Sequence, residues 1–116
     1  MREVGRGTRV FEATPVRGGW RPLHSPDDVL ELMDDDNAFH HGVVAVVADA
    51  GATFLAPIFD DLTAAVCLSG TPLSHIGIVS REYEVPCIMS TSLTEDPERG
   101  TTVEVDCSGD EGVVRA

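Results

Sequence analysis

A chain of 116 residues carrying 20 acidic against 8 basic side chains, a formal charge of −12, suits one domain with one core (1–116). No Lys/Arg cluster interrupts the acidity, so nucleic acid is excluded as a partner. Neither a secretory leader in "MREVGRGTRVFEA" nor an apolar run of about eighteen residues is present, so a cytoplasmic protein without membrane contact is expected. Cys67, Cys87 and Cys107 are odd in number and far apart, which fits buried reduced thiols rather than a disulfide framework or a metal site.

From the first residues to "RVFEATPV" the alternation predicts one or two strands, and the Gly and Pro content of "RGGWRPLHS" predicts a loop. A short helix follows in "SPDDVLELMDDD", with Ser25 as cap, Pro26 in the first turn, and Asp27 and Asp28 at the positive end of the dipole. The acidic tail Asp34 to Asp36 reads as a solvated run, and neither His40 nor His41 adds a ligand spacing to it. "GVVAVVADA" (42–50) and "AAVCL" (64–68) are continuous apolar runs, the pattern of central strands covered on both faces. Between them Phe54, Leu55, Ile58, Phe59 and Leu62 follow helical spacing. Ser74 caps a further helix with Ile76, Val79 and Tyr83 as its inward stripe, and Pro86 ends it before the run "PCIM". "GTTVEVDCSGDEGVVRA" closes the chain as a hairpin. The fold class expected is α/β.

His75 lies in the first turn of its helix, at the carboxyl end of an apolar strand and after the turn at Gly70, Thr71 and Pro72. Free backbone N–H groups and the positive end of the helix dipole favour an anion there, the dipole by about 0.3–1 kcal/mol. The same field opposes an added proton on the ring, and the neutral imidazole is the nucleophile that can accept a phosphoryl group. The competing reading is a histidine that merely fills a loop. A Ser74–His75 hydrolase pair is poorly placed, since adjacent helical residues point roughly 100° apart. No P-loop, G-x-G-x-x-G or G-x-S-x-G motif occurs.

The stretch "GTPLSHIGIVSREYEVPCIMS" resembles the phosphohistidine motif of phosphoenolpyruvate-utilising enzymes, of the form GGxxSHxxIVARExGIPxxxG. The resemblance places Gly70, Ser74, His75, Ile78, Val79, Arg81, Glu82 and Pro86 on motif positions, and the closing hairpin resembles the family's "GdxVxVDGxxGxV". It covers residues from about 42 to the end and more weakly the start. The implied unit is the mobile, swivelling domain of pyruvate phosphate dikinase, phosphoenolpyruvate synthase, enzyme I of the sugar phosphotransferase system, and the rifampicin- and phenol-phosphorylating enzymes. What it implies is a β/β/α layered domain with a mixed sheet, two main helices and a short one. His75 would be the catalytic residue, Gly70, Thr71, Ser74, Ile76 and Gly77 the phosphate cradle, and Arg81, Glu82 and Pro86 structural support, with no metal. Thr71, Glu84 and Ser90 depart from the motif's glycines.

The function expected is a free-standing phosphohistidine carrier subunit of a multi-subunit phosphotransferase, inactive alone. ATP or phosphoenolpyruvate, with Mg, would bind a partner: a nucleotide-grasp subunit, and beyond it a subunit holding pyruvate or another acceptor. The alternative is a non-catalytic assembly or regulatory module that retains the swivelling fold. A small histidine carrier of sugar transport fits less well, because no basic residue follows His75 before Arg81.

Overall fold

The computed structural model describes residues 1–35 and 37–116. Its strands are β1 (Glu3–Arg9), β2 (Ala13–Pro22), β3 (Val43–Val47), β4 (Ala64–Cys67), β5 (Cys87–Leu93), β6 (Thr102–Cys107) and β7 (Gly112–Arg115). Two α-helices, α1 (Pro26–Met33) and α2 (His75–Tyr83), and a 3₁₀ helix (Ala56–Asp61) connect them. The strands run β1-β5-β4-β3-β2-β6-β7 around a closed barrel, with β7 returning to pair with β1. From β2 through β3 and β4 to β5 the pairing is parallel, and the remaining pairs are antiparallel. The α/β class and the mixed sheet are as expected, but the sheet does not form stacked layers. It closes because β1 has backbone partners on both sides, β5 and β7, which leaves no open edge.

Closure produces two cores from one alternation. Val44 and Val46 of β3, Ala64 and Val66 of β4, and Ile88 of β5 point into the barrel, where they meet Trp20, Val103, Val105 and Val114. Val43, Ala45, Val47, Ala65, Cys67, Cys87 and Met89 point outward beneath the helices, against Val29, Leu32, Ile58, Phe59 and Ile76. Strands buried on both faces have no polar side to show, which is why the β3 and β4 sequences are unbroken apolar runs.

"RGGWRP" is not a loop. It forms the second half of β2, because Trp20 is fully buried inside the barrel and the backbone around it pairs with β6 on one side and β3 on the other. Tertiary pairing overrides the local glycine signal here. Helix α1 has the expected cap, Ser25 accepting from the Asp28 amide. Asp34 and Asp35 are exposed, as are His40 and His41, while Asp36 lies outside the described residues. The helix read between β3 and β4 is a short 3₁₀ turn with Pro57 at its start, and it still buries Ile58 and Phe59.

In α2 the buried positions are Ile76, Gly77 and Ser80. Tyr83, expected inward, is 54% exposed and lies against the Phe59 ring at 6.0 Å between centroids. It lines a cleft between α2 and the 3₁₀ helix instead of packing on the sheet. No described helix is long and apolar enough to cross a membrane.

Candidate functional site

His75 is the first residue of α2 and is exposed, while the next residue, Ile76, is almost fully buried. That burial contributes about 2 kcal/mol and pins the helix start to the barrel. The pin also has a polar part: the Ile76 amide donates to the Ala50 carbonyl at 2.9 Å, tying α2 to the loop after β3. Ile76 therefore holds the site in place and has no N–H to offer an anion.

Ser74 occupies the N-cap position without capping through its side chain. Its hydroxyl accepts instead from the Thr71 amide at 2.9 Å, and its own amide donates to the Thr71 carbonyl at 2.9 Å. Thr71 in turn accepts the Leu73 amide on its hydroxyl at 3.2 Å. The 71–74 turn is thus closed on itself, with both hydroxyl oxygens accepting from amides of the turn. With these groups engaged, the His75 and Gly77 amides have no protein acceptor among the described residues. They are two orphan donors of a helix N-terminus beside the imidazole.

Two glycines make this geometry possible. Gly70 has φ +87°, and a Cβ there would lie 2.4 Å from the Ala50 Cβ. A Cβ on Gly77 would lie 2.5 Å from the Pro72 carbonyl oxygen, so its bare backbone lets the turn fold back onto the helix. Gly77 therefore combines a close backbone approach with a free amide.

The residues read as structural support divide. Arg81 donates to the Val10 carbonyl at 2.8 Å, fastening the end of α2 to the β1–β2 connection. Pro86 is buried, and its carbonyl accepts the Ala65 amide at 2.9 Å. Glu82 is exposed, and no hydrogen bond or ion pair among the described residues engages its carboxylate. Two further supports are not among the site residues read from the sequence. Ser90 donates to the Gly70 carbonyl at 2.7 Å, and the Ser69 hydroxyl links the Ala48 carbonyl at 2.7 Å to the Ala50 amide at 3.3 Å. Ser90 was marked in the sequence only as a departure from glycine.

His75 also forms one end of a cleft of about 190 Å³ between α2 and the 3₁₀ helix, floored by Leu55, Phe59, Ile76 and Val79 and edged by Thr53 and Glu82. No Lys or Arg lines it. The cysteines stand apart from this chemistry. All three are free and buried. The neighbouring Cys67 thiol and burial push the Cys87 thiol well up, and burial, with the Asp106 charge, pushes Cys107 up to about 11. Thiols held protonated in this way are poor nucleophiles. Among the described residues no group of His, Cys, Asp and Glu side chains is clustered to hold a metal ion.

Comparison with known proteins adds two findings. The chain is 42% identical over 59 residues to chondramide synthase cmdD of Chondromyces crocatus. That stretch is 50% of this chain and 2% of the relative, so the chain spans a small fraction of the synthase it matches. The second match is to a protein family, over residues 39–110, which contain β3, β4, α2, β5, β6 and the whole His75 turn. The chain belongs to the family of the PEP-utilising enzyme, mobile domain.

Proposed function

We propose that the protein is a phosphohistidine carrier: His75 takes a phosphoryl group at a donor site on a partner and surrenders it at an acceptor site elsewhere. The observation that carries this reading is the exposed imidazole at the start of α2 beside the unengaged amides of His75 and Gly77. An imidazole nitrogen attacks a phosphorus of the bound donor, the N–P bond forms as the P–O bond to the leaving group breaks, and the two amides face the phosphoryl oxygens. In the second half-reaction an acceptor oxygen attacks, the N–P bond breaks and the imidazole is regenerated.

What this chain supplies to charge stabilisation is small. The helix terminus contributes about 0.3–1 kcal/mol, and Arg81, which is engaged by Val10, lies about 120° round the helix from His75. The cations that neutralise the transferring group therefore belong to the partners, a nucleotide-grasp or phosphoenolpyruvate-binding unit with its Mg and an acceptor-binding unit. This division of labour suits a mobile carrier, which must release the phosphoryl group as readily as it takes it.

The experiment is phosphoryl transfer from ATP or phosphoenolpyruvate in the presence of a donor unit. Wild type is expected to take up one acid-labile, base-stable phosphoryl group, mapped to His75 by mass spectrometry, and His75→Asn to take up none. Equal uptake by wild type and His75→Asn would remove His75 as the nucleophile.

A further inference from the structure

A second cleft, of about 330 Å³, opens at the amino ends of the parallel strands, the opposite end from His75. We infer that it binds a small amino carboxylate, with Arg21 holding the carboxylate and Asp35 the ammonium group. The chain has no lysine and eight arginines. Seven of these donate to a named acceptor: Arg2, Arg6, Arg17, Arg99 and Arg115 to carboxylates, Arg9 and Arg81 to backbone carbonyls. Among the described residues Arg21 alone has none, although it is half-buried and lines this cleft.

A partly desolvated guanidinium with five donors and, among the described residues, no acceptor keeps its donor capacity for a ligand, and its planar fork matches a carboxylate. Asp35 lines the same cleft and is not ion-paired with Arg21. Two opposite charges that line one cleft without pairing are complementary to a ligand that carries both. A simple anion would meet the Asp35 carboxylate and the −12 charge of the chain, and a simple cation would meet Arg21. His41 and Thr102 add polar edges, and bare glycine backbone at Gly19 and Gly100 leaves room, a Cβ at Gly100 meeting nothing within 4 Å.

The test uses the whole chain and three probes of increasing length, glycine, β-alanine and 4-aminobutyrate, with acetate, ethylamine and inorganic phosphate as single-charge controls. Binding is followed by the amide resonances of Gly19 and Gly100, whose backbone lines the cleft. At least one amino carboxylate is expected to saturate with a millimolar Kd and to bind more tightly than every control. Arg21→Gln and Asp35→Asn should each weaken it by about fivefold or more. No saturable shift from any zwitterion, tighter binding of acetate or phosphate, or affinity untouched by both substitutions would overturn the assignment. The length series in the native protein decides the matter even if a variant folds poorly.

Discussion

Glu84 and Ser90 are the described non-glycine residues with left-handed backbone, φ 57° and 48°. Both stand at motif positions where glycine is usual, so the backbone has kept the family's turn and the side chains bear the strain. At Glu84, the C-cap of α2, nothing offsets it: the side chain is exposed and has no partner among the described residues. Glu84→Gly is expected to raise stability by about 0.5–1 kcal/mol, the left-handed penalty less the extra chain entropy of glycine, measured by urea denaturation. Ser90→Gly should gain less, because it gives up the hydroxyl bond that braces Gly70. Asp106 carries a second effect at this scale. Its carboxyl is lowered to about 2 by the Ser108 hydroxyl and amide and by Arg115. The folded state therefore binds the proton less readily than the unfolded chain, and the resulting stability is present above pH 4 and lost as pH falls from about 4 towards 2. After solvent screening it amounts to about 1 kcal/mol. Asp106→Asn should cost that much near neutrality, and the gap to wild type should narrow as denaturation is repeated at decreasing pH.

At the scale of elements, α2 is short, and its position depends on one contact plane more than on helix propensity. Ile76 is buried, Gly77 lies against Pro72, and the Ser80 hydroxyl returns to the Gly77 carbonyl at 2.8 Å. Gly77→Ala puts a methyl 2.5 Å from the Pro72 oxygen, so either the 71–74 turn or the helix start must move. A loss of about 1–3 kcal/mol is expected, together with displaced Ser74 and His75 amide resonances. An alanine scan of exposed α2 positions such as Ile78 should leave those resonances in place. A Gly77→Ala protein with wild-type stability and unchanged amides would show that this contact does not set the site. The departures in the motif sort themselves by the same geometry. Thr71 is accommodated because it has no positive φ and its hydroxyl joins the turn.

For the molecule as a whole, β1 is the strand that turns a sheet into a barrel. It lies outside the matched residues 39–110 but pairs with both β5 and β7 and buries Val4 inside. Deleting residues 1–9 would expose two strand edges and open the inner core at once, so the shortened chain is expected to lose cooperative unfolding and to aggregate. Circular dichroism and size-exclusion chromatography check this. A monomeric, cooperatively folded product would mean that the remaining six strands close without it. The barrel gives the carrier reading its mechanical sense: a rigid body, braced by two cores, presents one exposed histidine at the end of its parallel strands.

Some of this was legible residue by residue. The unbroken apolar runs of β3 and β4 specify burial on both faces, Ser25-Pro26 specifies the start of α1, and the Ser74-His75 pair with Pro86 beyond it brackets α2, because each of these signals is local and has one strong physical reading. Other features depend on partners distant in the chain. "RGGW" is loop-like until β3 and β6 pair with it and the barrel takes in Trp20. Layers and barrel share one alternation pattern, and only the pairing of residues near position 5 with those near 93 and 114 separates them. At the site, the sequence by itself determined which histidine stands at a helix start. Tertiary structure alone decided that Ile76's amide belongs to Ala50, that Ser74 turns back to Thr71, and hence which two N–H groups remain for an anion, because an orphan donor is defined by every acceptor that fails to reach it.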